Sequence, residues 1–122
     1  MNIKKFLENS NKLTKSIQSK KAVLETIEKS LLITTDATLI KRLKKEQAKI
    51  RASINEDVRN QIKTINLIEK VKDVTLRSLL EYKYICNMDI EDIAEKLAYS
   101  VRHTARIQTK AIEELKKFYK SA

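Results

Sequence analysis

"DIEDIAEKLAYSVRHTARIQTKAIEEL" (residues 89–115) changes character partway along. Its first part carries Asp89, Glu91, Asp92 and Glu95. No acid follows between Lys96 and Lys110, where Arg102, Arg106 and the single histidine of the chain, His103, stand instead. Ile90, Ile93, Ala94 and Leu97 have the spacing of one helical face, and Asp89 can cap that helix by accepting from its free N–H groups. Ser100 can cap a second, longer helix whose inner face is Thr104, Ile107, Ala111, Ile112 and Leu115. Only Ala98, Tyr99 and Ser100 separate the two. Short helix, three-residue turn, longer helix is the order and spacing of a helix-turn-helix. In that motif the second helix lies in the major groove and its N-terminal residues meet the bases. A helix approaching phosphates wants cations and no carboxylates, whereas Asp89 and Glu91 are favoured near the positive N-terminus of the helix before it.

Upstream of this stretch, Asp73 is a natural N-cap for a helix from Val74 to about Cys86, with Leu76, Leu79, Leu80, Tyr84 and the stem of Lys83 facing inward. Asn87-Met88-Asp89 breaks it. Cys86 is expected to be a small buried hydrophobe, and Tyr99 to sit in the core, with contact to the DNA backbone as its alternative. Residues 3 to 31 hold a heptad line of Ile3, Phe6, Ser10, Leu13, Ile17, Lys20, Leu24, Ile27 and Leu31, which puts one narrow seam on a long helix. Ser10 and Lys20 are polar breaks in it. Thr34-Thr35-Asp36-Ala37-Thr38 reads as a turn whose Ser/Thr/Asp chemistry caps a new helix, with Ile33 as a hydrophobic staple. Leu39, Leu43, Ile50, Ile54, Val58, Ile62, Ile65 and Ile68 continue as a stripe to about residue 71. Its steps of four from Ile50 to Ile62 depart from a strict heptad, so little regular supercoil is expected. The whole reads as all-α: a long antiparallel, coiled-coil-like helical hairpin over 1–71, then a helix-turn-helix domain over 73–119.

Composition agrees with this class. The 122 residues include no Gly and no Pro, on which hairpins and tight turns lean, and a Gly-rich phosphate loop is thereby excluded. The formal net charge of +10 points first to nucleic acid and second to an acidic membrane surface. Residues 73–122 contribute nine basic and eight acidic side chains, so most of the excess lies in the hairpin. No apolar run approaches the roughly 18 to 20 residues of a membrane span. The N-terminal MNIKKFLENSNK lacks an apolar stretch followed by a cleavage site, so a cytoplasmic location is expected. The single Cys86 cannot form an internal disulfide, consistent with a reducing compartment.

The segment "LRSLLEYKYICNMDIEDIAEKLAYSVRHTARIQTKAIEEL" (76–115) resembles the fourth conserved region of bacterial sigma factors. It is more similar still to the sigma-like domain of small phage proteins, the ArpU-like late transcriptional regulators. The resemblance runs through Leu79-Leu80-Glu81-Tyr82-Lys83-Tyr84-Ile85, Ile90-Glu91-Asp92-Ile93-Ala94-Glu95, Tyr99-Ser100, Arg102-His103, Arg106-Ile107 and Ala111-Ile112-Glu113-Glu114-Leu115. The family's arginine before the second tyrosine is here Lys83, its glycine after the first helix Asn87, its tryptophan Ile90, and the glycine of its turn Ala98. Asn tolerates left-handed backbone better than most residues. Ala98 takes it only at some strain, so an altered turn is expected there. The resemblance implies double-stranded DNA binding and a role in transcription of phage late genes, and it matches a charged helical N-terminal region.

On these grounds the expected DNA-binding residues are Ser100, Val101, Arg102, His103, Arg106 and Lys110. Arg102 and Arg106 would contact bases or phosphates, since Arg to guanine is the commonest specific base contact. His103 would sit near the groove entrance, Lys110 would neutralise phosphate, and Ser100 would cap the helix that begins at Val101. One His and one Cys form no metal cluster, so neither metal nor cofactor is expected. Glu91, Asp92 and Glu95 read as a solvated acidic face, and there is no enzyme signature. Besides DNA, a second copy joined through the N-terminal helices, with a dimer favoured, and RNA polymerase are the candidate partners; no membrane is expected. The rival readings are a small viral DNA-packaging recognition subunit and a coiled-coil adaptor that contacts protein in place of DNA.

Overall fold

The computed structural model describes residues 2–119, and all regular structure among them is helical: α1 (Ile3–Ile33), α2 (Ala37–Ile68), α3 (Val74–Tyr84), α4 (Ile90–Leu97) and α5 (Val101–Lys116). With no Gly or Pro to shape turns, every helix start is marked by a capping side chain. Asn2, Asp36, Asp73, Asp89 and Ser100 each accept from N–H groups of the first turn they precede, satisfying donors that a helix start otherwise leaves unpaired.

α1 and α2 form the hairpin. Their cross-contacts run in opposite chain directions: Thr14 with Gln61, Ser16 and Lys20 with Asp57, Glu28 with Arg51. The α1 seam lies where the heptad puts it, each of its residues buried or half-buried. The inward line of α2 differs from the expected stripe. It is Ile40, Leu43, Gln47, Ile50, Ile54, Asp57, Gln61, Thr64 and Ile68, continuing to Val71, again in alternating steps of three and four. Leu39 and Ile62 are exposed. The heptad is therefore strict, and polar side chains at inward positions disguise it. They are tolerated there because they find partners: Lys20 Nζ lies 2.7 Å from Asp57 Oδ2, Ser16 donates to the same oxygen at 2.8 Å, and Gln61 donates to Thr14 at 3.4 Å. Ile33 is no staple. It ends α1 and is 83% exposed, while Asp36 alone caps α2 by accepting from Thr38 and Leu39.

The open end of the hairpin and the three C-terminal helices share one core. Leu7 of α1, Ile68 and Val71 at the end of α2, Leu79 and Leu80 of α3, Ile93 of α4, and Ala111 and Leu115 of α5 are all but completely buried. At roughly 1.5–3 kcal/mol per buried large aliphatic side chain, this junction is the main apolar stabilisation of the chain. The polar seam position Ser10 is an anchor here: its Oγ donates to the carbonyl of Tyr84 at 2.8 Å, and Thr14 Oγ1 donates to that of Ile85 at 3.1 Å. Those carbonyls end α3 and have no partner within their own helix. Between Lys15 and Lys63 no residue is fully buried, so the rest of the hairpin extends from the core as two helices joined by a single seam.

Candidate nucleic-acid interface

α4 is closed by a left-handed residue. Ala98 has φ 59° and ψ 39°, its N–H turns back to Glu95 at 3.2 Å, and the N–H of Tyr99 reaches the Ala94 carbonyl at 3.0 Å. This is the Schellman ending, usually built on glycine. The altered turn expected of an alanine is not seen: Ala98 adopts the glycine geometry and bears the strain. Asn87, at φ 59°, does the same after α3. The Ala98–Tyr99–Ser100 turn then delivers the chain into α5, where Ser100 Oγ accepts from the N–H of His103 at 3.0 Å.

α5 is held by its inner face. Thr104, Ala111 and Leu115 are buried and Ile107 and Ile112 half-buried. The Thr104 hydroxyl, in the middle of this apolar face, donates to the Ser100 carbonyl at 2.8 Å and so is not an unsatisfied buried polar group. With about 100° between successive residues, Arg102, Arg106 and Lys110 point away from that face along one line. Val101 and His103 flank the line on opposite sides. All five, and Ser100, are exposed. Arg102, Arg106 and Lys110 make no ion pair among the described residues. Their charge is open to an external anion, in contrast to Lys116 and Lys117, which pair with Glu113 and Glu114. From Arg102 to Lys110 the row spans about 12 Å at 1.5 Å per residue.

Two residues lie elsewhere than expected. Tyr99 is not in the core: it is 40% exposed, and its ring meets that of His103 edge-on with centroids 4.7 Å apart. It stands in the turn behind the left-handed Ala98, which swings it out of the apolar line that ends at Leu97. It thus joins the exposed face, the less favoured of its two expected places. The available signal was position: a residue just before an N-cap belongs to neither helical face. Cys86 is likewise exposed, because α3 ends at Tyr84 and the following residues unwind toward Asn87.

The acids of α4 behave as a charged surface. Glu91, Asp92 and Glu95 are exposed, and the Asp92 carboxyl is pushed above its ordinary value, first by the charge of Asp89 and then by partial desolvation and by Glu95 and Glu91. Among the described residues no three His, Cys, Asp or Glu side chains gather where they could hold a metal ion, and no helix is long and apolar enough to cross a membrane.

A family model described as "Protein of unknown function (DUF1492)" matches residues 35–116, from the hairpin turn to the end of α5. Neither the curated proteins nor the solved structures hold a match to the chain.

Proposed function

The chain belongs to the DUF1492 family of proteins of unknown function, and from its α4–α5 unit we propose that it binds double-stranded DNA sequence-specifically, as a phage-type transcriptional regulator of the sigma-like kind its C-terminal segment resembles. The observation that carries this reading is the outward row Arg102–Arg106–Lys110, free of ion pairs among the described residues and set directly behind a three-residue turn that opens on the left-handed Ala98. α5 enters the major groove from its Val101 end. Arg102 and Arg106 face base edges or the flanking phosphates. Lys110 meets phosphate, and Ser100 fixes the start of the helix. His103, backed by the Tyr99 ring, stands at the groove edge. α3 and α4 pack against α5 over the core shared with the open end of the hairpin, and the excess positive charge of the hairpin speeds encounter with DNA.

A second reading rests on one observation. Only a small part of the net charge lies in residues 73–122, so a coiled-coil adaptor with a helix-turn-helix that contacts protein is the rival. Titration against mixed-sequence duplex DNA at several salt concentrations separates the two. DNA binding that weakens in Arg102→Ala/Arg106→Ala supports the regulator. Binding indifferent to those arginines supports the adaptor.

A further inference from the structure

The far end of the hairpin carries surface that the DNA reading does not use. Leu32 and Ile33 project from the last turn of α1, 85% and 83% exposed. Beside Ile33, the α2 positions Leu39, Arg42, Leu43 and Glu46, which share one helical face, complete an open groove of about 530 Å³. Arg42 lines it and Lys45 stands three residues further along α2, both exposed and without an ion pair among the described residues, while the lining Glu46 is paired with Lys49. An apolar groove at the tip of a two-helix arm, rimmed by uncommitted cations, is the form of a protein-docking surface.

The chemistry that fits it is an acidic segment with an apolar side chain, and the molecule itself presents one. On α4, Glu91, Asp92 and Glu95 are exposed and free of ion pairs among the described residues, next to the half-buried Met88 and Ile90. The crowding that raises the Asp92 carboxyl is relieved when cations approach. The tip cannot reach α4 of its own chain. α4 belongs to the core at the hairpin's open end, and the tip lies some 30 residues, about 45 Å of helix, away. Side-by-side pairing of hairpins, and tip-to-tip contact, would bring like charges together, because residues 1–72 hold 17 basic and 8 acidic side chains.

We propose that the hairpin tip of one copy docks on α4 of a second copy, with Ile33, Leu39 and Leu43 covering the exposed edges of Met88 and Ile90 while Arg42 and Lys45 face Glu91 and Glu95. Such a contact joins two different surfaces, so it propagates head to tail; it differs from the dimer expected through the N-terminal helices. It leaves the Arg102–Arg106–Lys110 row open, and it neutralises the acids nearest the DNA-facing helix.

The test is sedimentation velocity of the full chain at low and high salt without DNA. The proteins are the wild type, a tip variant (Arg42→Glu/Lys45→Glu), an α4 variant (Glu91→Lys/Glu95→Lys) and an equimolar mixture of the two variants. The wild type should exceed the 14.2 kDa of one chain increasingly with concentration and return to it at high salt. Each variant alone should remain a single chain, because it opposes like charges. The mixture should associate again, because the unaltered tip of one variant meets the unaltered α4 of the other and the two reversed surfaces meet each other. All the substituted side chains are exposed, and circular dichroism of each variant checks that the helices persist. A wild type that stays monomeric at every concentration overturns the proposal, whether or not its tip then binds vesicles of anionic phospholipid. So does a mixture that fails to associate, or variants that associate as the wild type does. DNA binding enters none of these outcomes.

Discussion

Replacing Ala98 with glycine should stabilise the protein, although it removes a methyl group and adds no interaction. Ala98 sits at φ 59°, ψ 39°, where the Cβ of an L-residue crowds the following carbonyl at a cost of roughly 1–2 kcal/mol. Glycine is free of that cost but loses more backbone entropy on folding, by about 0.5–1 kcal/mol. The balance favours Ala98→Gly by about 0.5–1 kcal/mol. The side chain is exposed, so no cavity term opposes the gain. Urea unfolding followed by helical circular dichroism reads this directly. With a slope near 1.5 kcal/mol/M, the midpoint should rise by about 0.3–0.7 M at unchanged slope. Asn87→Gly, at the same φ after α3, should gain less, since Asn accepts this backbone more readily. An Ala98→Gly midpoint that falls would show that this residue is not left-handed in solution. The turn that aims α5 would then differ from the one described.

Other substitutions probe the hairpin and its anchor. Asp57→Ala should destabilise by about 1–3 kcal/mol by leaving Lys20 without its partner inside the seam, whereas Lys20→Met/Asp57→Leu should be near neutral or stabilising; the two urea midpoints decide. The hydrogen bond from Lys20, and then that from Ser16, hold the Asp57 carboxyl below its ordinary value against the opposing effect of burial. Its contribution to stability is therefore complete above the unfolded carboxylate range near pH 4. It is lost as pH falls through the lower folded value, and the acid-induced loss in Asp57→Asn should be smaller than in the wild type by that amount. Ser10→Ala should cost about 1–2 kcal/mol, because it strands the buried Tyr84 carbonyl; a midpoint unchanged from the wild type would show that water reaches that carbonyl.

Much of the fold is written locally. Asp73, Asp89 and Ser100 mark helix starts by their own chemistry, and the apolar spacing of Ile93, Ala94, Thr104, Ala111 and Leu115 defines the faces that pack. What spacing conceals is the partner across the seam. Asp57, Gln61 and Thr64 look like surface residues in a one-dimensional reading, and Ile62 looks like core. Only the opposing Lys20, Ser16 and Thr14 reverse that assignment. Ser10 is similar: its bond to Tyr84 joins residues 74 positions apart, and a break in a heptad does not reveal what it caps. Of the candidate site, the exposure of Arg102, His103, Arg106 and Lys110 follows from helical period, whereas that of Ser100 and Val101 follows from their place at the open start of α5. The position of Tyr99 depends on the left-handed Ala98, a backbone choice that the residue type disfavours, and so a reading by residue type puts that ring in the core.

The outer face of α5 is proposed to contact DNA. The most direct test is the salt dependence of binding to duplex DNA, measured for the wild type beside Arg102→Ala/Arg106→Ala. The wild type should bind, and the double variant should bind more weakly, with a log–log salt slope flatter by about 0.9 for each phosphate that is no longer neutralised. Equal affinity and equal slope would contradict the account, assigning the binding to the charge of the hairpin and leaving the α4–α5 unit for a protein partner.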